Sequence, residues 1–166
     1  MSNNLSNLGE NMSYEQCKEK MGYCLSTLGL VLRLATKSMK ENYGEEGLEK
    51  LRKTFRKAGI ELGKSEVNRL KIKENNAIAY HKIVSEALKA FDINHEVVRL
   101  SEIDYILRIY DCPHAKNFII PEACDIFLEL DRGIVESLNP KLEFKHTKHV
   151  LRGDPYCEYV VTPKGV

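Results

Sequence analysis

The chain has 166 residues, 43% of them hydrophobic and 30% charged, with a formal net charge of +1. That length suits one domain with a buried core, and the near-neutral balance lacks the concentrated basic field that nucleic acid selects. No run approaches the roughly 18 apolar residues of a membrane span, and the opening MSNNLSNLGENMS has neither the basic start nor the apolar centre of a signal peptide. A cytoplasmic location is therefore expected, with neither membrane nor nucleic acid as partner. Five cysteines in a reducing compartment point to free, metal-bound or catalytic thiols rather than disulfides.

The Asn/Ser-rich residues 1–12 read as a disordered lead-in and residues 13–166 as a single domain, helical over 13–92 and sheet-forming over 93–166. Ser13 with Gln16 three residues on is a capping-box start. The stripe Cys17, Met21, Cys24, Leu25, Leu28, Leu32, Ala35 and Met39 then predicts an amphipathic helix ending at Tyr43-Gly44, with Cys17 and Cys24 as core packing. A second helix spans Glu45 to Leu62, acidic at its start and basic later as its dipole favours, with Gly63 as its cap. Its basic run reads as a solvated face. Ser65 starts a short third helix through Lys73, and Asn75 or Asn76 caps a fourth whose stripe is Ala77, Tyr80, Val84, Leu88 and Phe91.

At His95 the periodicity turns from helical to alternating. Glu96–Leu100 and Tyr105–Cys112 predict two strands, the second setting Ile106, Arg108, Tyr110 and Cys112 on one face, either a pocket wall or a half-exposed sheet surface. Pro121 opens a helix with Ala123, Ile126, Phe127, Leu130 and Ile134 inward, stopped by Asn139-Pro140. Leu142–Leu151 and Tyr156–Val161 form a final hairpin over Gly153-Asp154. The expected fold is α+β, with N-terminal helices packed on a mostly antiparallel sheet built from two strand pairs around a helix.

Four soft or borderline donors stand in the last quarter: Cys124, His146, His149 and Cys157. Two thiolates and two imidazoles complete a tetrahedral shell for zinc or another divalent transition metal. Cys124 falls in the first turn of its helix, where the dipole favours thiolate. His149 and Cys157 are symmetric about Gly153 and face one another across a regular hairpin. His146, three residues from His149, points to the opposite face unless a bulge or turn at Thr147-Lys148 brings both inward.

Cys112-Pro113, Cys124, Asn139-Pro140, Phe144 and Gly153-Asp154-x-x-Cys157, with Tyr43-Gly44-Glu45-Glu46-Gly47 and Ala58-Gly59 upstream, resemble the L-2-amino-thiazoline-4-carboxylic acid hydrolase family. The tail is also similar to vinyl-4-reductase-like small-molecule-binding domains, including sensor domains of phenol-responsive activators. That resemblance implies a structural zinc on Cys124, His146, His149 and Cys157. The chain departs from both patterns at its middle pair: those sensors carry a carboxylate and a thiol there, and the hydrolases usually a basic and a hydroxyl residue.

Two functions follow. One is hydrolysis of a small C–N, thiazoline-like substrate, assisted by a three-ligand metal with His146 released and Asp125, Asp154 or His114 as base. In its metal-free version Cys112 is the nucleophile and His114 its base. The other is a non-catalytic ligand-binding or sensor domain with a closed zinc site, Arg108 and Tyr110 lining the pocket for a small molecule. The apolar stripe of the first helix makes a homodimer a further expectation.

Overall fold

Ser13 caps α1 (Tyr14–Leu70) in the computed structural model, which describes residues 13–165. The lead-in expected over 1–12 lies outside the described residues. The capping box is complete: Gln16 N donates to Ser13 Oγ at 3.3 Å, and Ser13 N to Gln16 Oε1 at 3.0 Å, serving amides that a helix start leaves without partners. α1 breaks at Gly44, whose φ of 57° and ψ of −141° are open to glycine and costly for other residues. Asn76 then caps α2 (Ala77–Ala90), its side chain accepting from Ile78 N and Ala79 N.

Two strands follow, β1 (His95–Leu100) and β2 (Tyr105–Ile109). Short helices α3 (Pro113–Phe118) and α4 (Pro121–Phe127) each start on a proline, and α5 (Glu129–Leu138) continues from α4 after Leu128. β3 (Leu142–Lys148), a single 3-10 turn (Val150–Arg152) and β4 (Cys157–Pro163) complete the chain. All pairings are antiparallel, in the order β1-β2-β4-β3. The two expected strand pairs are thus one α+β sheet, joined where β2 pairs with β4 from Tyr105↔Val161 to Ile109↔Cys157. Among the described residues no helix is long and apolar enough to cross a membrane.

One face of the sheet meets the helices. Tyr105, Leu107 and Ile109 of β2, Leu142 and Phe144 of β3, and Cys157, Tyr159 and Val161 of β4 are all buried there, as strand alternation requires. Tyr80 of α2 locks onto them, its ring edge-on to Tyr105 at 5.8 Å and to Phe144 at 6.0 Å. β1 is one of the two edge strands and is exposed along its whole length.

Three expectations are corrected. Gly63 is no cap and no separate helix starts at Ser65, because α1 runs on to Lys71, which ends it in a left-handed conformation (φ 53°, ψ 40°). Gly63 serves close packing instead. α5 crosses so near that a Cβ on Gly63 would lie 2.2 Å from Ser137 Oγ, and one on Gly59 2.2 Å from Leu130 O. Second, β2 stops at Ile109, and Cys112 becomes the N-cap of α3, a helix with too few residues for a periodic signal. Third, β3 ends at Lys148, and His149 starts the 3-10 turn rather than continuing the strand.

Candidate metal centre

The centre is built where β3 loses its regular register. His146 pairs with Tyr159, but the next pairing is Lys148 with Glu158, so an extra residue bulges between them. That bulge turns both histidines to one side, the device that their three-residue spacing demanded. Their rings stand 4.5 Å apart, and His146 also packs on the Tyr159 ring at 4.9 Å. His149 is held from two directions: its backbone N donates to Asp154 Oδ2 at 2.6 Å, and its Nδ1 accepts from Leu151 N at 3.1 Å. Gly153, at φ 98°, makes the tight return possible.

Cys157, the first residue of β4, points inward beneath this pair. One ligand atom each from His146, His149 and Cys157 lies within 4.8 Å of the others. The His146 and His149 Nε2 atoms are buried without a hydrogen-bond partner; the remaining such side-chain atom among the described residues is Thr36 Oγ1. An unsatisfied buried polar atom costs about 1–3 kcal/mol, so two of them on neighbouring rings beside a thiol fit a cation. Two imidazoles and a thiol suit a borderline ion such as zinc. Burial, and then the neighbouring His149, pull His146 down to about 4, and burial lowers His149 too. Both rings are therefore neutral near pH 7, the form that binds metal.

Cys124 stands outside this three-donor group. It is 1% exposed in α4, and burial pushes its thiol upward, contrary to the thiolate expected at a helix start. α4 has only 7 residues, and its weak dipole loses to desolvation.

The histidines open on a polar cleft of about 460 Å³ that also receives Asp125, Arg52, Arg132 and Arg152. Arg152 grips Asp125 with two hydrogen bonds, at 2.7 and 3.2 Å, and Asp125 Oδ1 lies 3.8 Å from His149 Nε2. No local pattern in the sequence marks the three arginines as neighbours. Arg52 belongs to a run that looked merely solvated, Arg132 sits in a helix defined by its apolar stripe, and Arg152 registered only as part of a turn.

Cys112 and His114 lie elsewhere. Cys112 is buried beside Cys157, whose thiol together with the Ala115 and His114 backbone N–H groups draws it down to about 7, while the shared contact and burial push Cys157 up. The His114 ring packs edge-on against Phe118 and Phe127, at 5.1 and 4.5 Å, and burial lowers it to about 4. No hydrogen bond joins its ring to Cys112 among the described residues, so the extended dyad is not formed. Arg108 and Tyr110 project from the opposite sheet face to Cys157, Arg108 on Glu158 at 2.9 Å and Tyr110 Oη on Glu96 at 2.6 Å. Tyr110 is 44% exposed. These two do not share a wall with Cys112, because the chain leaves the strand before reaching it.

Known structures share this architecture. A trafficking protein particle complex subunit 3 from Naegleria fowleri, covalently bound to palmitic acid, is similar over 86% of this chain and 96% of its own, with 21% identity and a TM-score of 0.62. The phenol-responsive sensory domain of the transcription activator PoxR, solved with phenol, is similar over 84% of this chain and 74% of its own, with 13% identity and a TM-score of 0.55. At these identities the likeness is one of fold. No curated protein matches the sequence. The family model described as L-2-amino-thiazoline-4-carboxylic acid hydrolase matches residues 27–161, nearly the whole of the described fold, and the chain belongs to that family.

Proposed function

We propose that the chain is a metal-dependent hydrolase acting on a small polar C–N substrate, with the ion held by His146, His149 and Cys157. The observation that carries this reading is that His146 and His149, each with a buried Nε2 lacking a hydrogen-bond partner, bring one donor atom apiece within 4.8 Å of the other and of Cys157, beside a polar cleft that both histidines line. Three protein donors leave a coordination position free, the pattern of catalytic rather than structural sites. A divalent ion there supplies Lewis acidity next to the substrate.

The chain's own groups supply the rest. Arg52 and Arg132 reach the cleft wall already paired with Glu45 and Glu129, and a carboxylate-bearing substrate would bind through their remaining N–H donors. Asp125, fixed by Arg152, is placed to accept and hold a proton. Asp154 holds the His149 backbone and is a positioning residue. Membership of the hydrolase family supports a thiazoline-like ring as the substrate class.

A second reading is a non-catalytic ligand-binding domain whose zinc is closed by Cys124. The burial of Cys124 close to the Cys112 thiol supports it. Turnover of 2-aminothiazoline-4-carboxylate by the zinc-loaded full chain separates the two. The hydrolase reading expects product formation, reduced at least about 100-fold in Asp125→Asn and His149→Ala. No turnover by the zinc-loaded wild type, with loss of zinc on Cys124→Ala, would overturn it in favour of the closed site.

A further inference from the structure

On the far side of Cys112 from the metal centre lies a second cavity of about 430 Å³, between α1, α2, α5 and the sheet. Leu25, Ile83, Leu88, Phe127, Leu130 and Ile134 give it an apolar body. A carboxylate on α5 interrupts that apolar body. Asp131, in the first turn of α5, accepts a hydrogen bond from Tyr80 Oη at 2.7 Å through Oδ1. No Lys, Arg or His among the described residues forms an ion pair with it: the adjacent Arg132 is engaged by Glu129 and lies over the Phe144 ring.

A carboxylate in an apolar wall, supported only by neutral donors, the Tyr80 hydroxyl and its own backbone N–H, is an expensive arrangement unless something else meets it. Burial accordingly pushes Asp131 up to about 6. The remaining charges on the lining point the same way. Glu66, Glu86 and Asp131 are set against a single guanidinium, Arg69, and Glu66 already binds it at 3.0 and 2.6 Å. The lining therefore carries an excess of negative charge and no free cation of its own.

We propose that this cavity is a binding site for a compact apolar molecule carrying one protonated amine, its body against the leucine and isoleucine side chains and its ammonium on Asp131. Tyr80 orients the carboxylate and leaves Oδ2 for the ligand. A carboxylic acid of the same size is rejected, because its charge faces Asp131 without a counter-ion. The cavity adjoins the metal centre through Cys112 and Tyr159, and the amine site does not depend on a bound ion.

Benzylamine, benzyl alcohol and benzoate are suitable probes, titrated into the full-length protein at pH 7.5 and followed by backbone amide shifts. The expected result is saturable binding of benzylamine at residues of α2 and α5, at least about tenfold tighter than benzyl alcohol, with benzoate weakest. A charge-assisted hydrogen bond of about 1.5–3 kcal/mol corresponds to such a ratio. Asp131→Asn should bring amine and alcohol to parity, and Tyr80→Phe should narrow the gap while leaving its sign. Equal binding of amine and alcohol by the wild type, an unchanged preference in Asp131→Asn, or no saturable amine binding would each overturn the proposal.

Discussion

His146 and His149 face one another with ring centres 4.5 Å apart, although their three-residue spacing on a straight strand would set them on opposite faces. The bulge between His146 and Lys148 makes the difference, and the 3-10 turn beyond it carries His149 back over Cys157. The same geometry fixes a proton. With Nδ1 accepting from Leu151 N, the neutral His149 ring bears its hydrogen on Nε2. An ion taking the Nε2 lone pair shifts that hydrogen to Nδ1 and removes the acceptor from Leu151 N. Titrating zinc into the metal-free protein should therefore move the Leu151 amide resonance strongly, as a direct consequence of coordination. An unmoved Leu151 amide would exclude His149 Nε2 as a ligand.

Asp154 should matter through His149 rather than by touching substrate. Its carboxylate accepts the His149 backbone N–H at 2.6 Å, and partners that orient a ligand typically change metal affinity 10- to 100-fold. Asp154→Ala should weaken zinc binding by about that factor in a competition titration with a chelating dye. Asp154→Asn, which keeps an acceptor oxygen, should recover most of the loss.

The metal-free protein should lose stability on acidification. His114 and His146 are each held near 4, below the ordinary histidine value near 6.5, so the unfolded chain binds more protons than the folded one between those values. Their contribution is present above about pH 6.5 and is lost as pH falls towards 4. Asp131, raised to about 6, works the other way, since its folded form binds more protons between about 3.9 and 6. Two groups outweigh one, so the denaturation midpoint should fall from pH 7 to pH 4.5. In Asp131→Asn, which removes the opposing group, the fall should be steeper.

The crossing of α1 and α5 should not tolerate even one methyl group. A Cβ on Gly133 would lie 2.2 Å from the Arg56 carbonyl oxygen. Alanine ordinarily gains about 1 kcal/mol over glycine inside a helix. Here the backbone clash should reverse that sign, costing on the order of 1–3 kcal/mol as overpacked sites do. Urea denaturation of Gly133→Ala would show it. A variant as stable as the wild type would mean that the helices separate freely.

Much of this fold is legible where a local rule decides the outcome. Ser13 and Gln16 cap a helix, Gly44 breaks one, and Gly153 turns a hairpin, because each depends on a few adjacent residues. The juxtaposition of His149 and Cys157 follows from symmetry about that turn. Long-range packing is what the sequence conceals. Gly63 looks like a cap because glycine commonly is one, and only the approach of α5 shows it to be a contact surface. Cys112 reads as a strand residue until Pro113 starts a helix of 6 residues, too short for periodicity to announce. The cleft arginines come from α1, α5 and the final turn, and nothing in any one segment says that they meet.

His146, His149 and Cys157 are expected to hold one divalent ion between them. Metal analysis by mass spectrometry of the purified, zinc-reconstituted protein tests it most directly, alongside His146→Ala and Cys157→Ala variants shown to be folded by circular dichroism. The wild type should hold about one equivalent of zinc and both variants should lose nearly all of it, as expected when a three-donor site loses a ligand. A folded wild type holding no stoichiometric ion, or variants that retain the full equivalent, would contradict it.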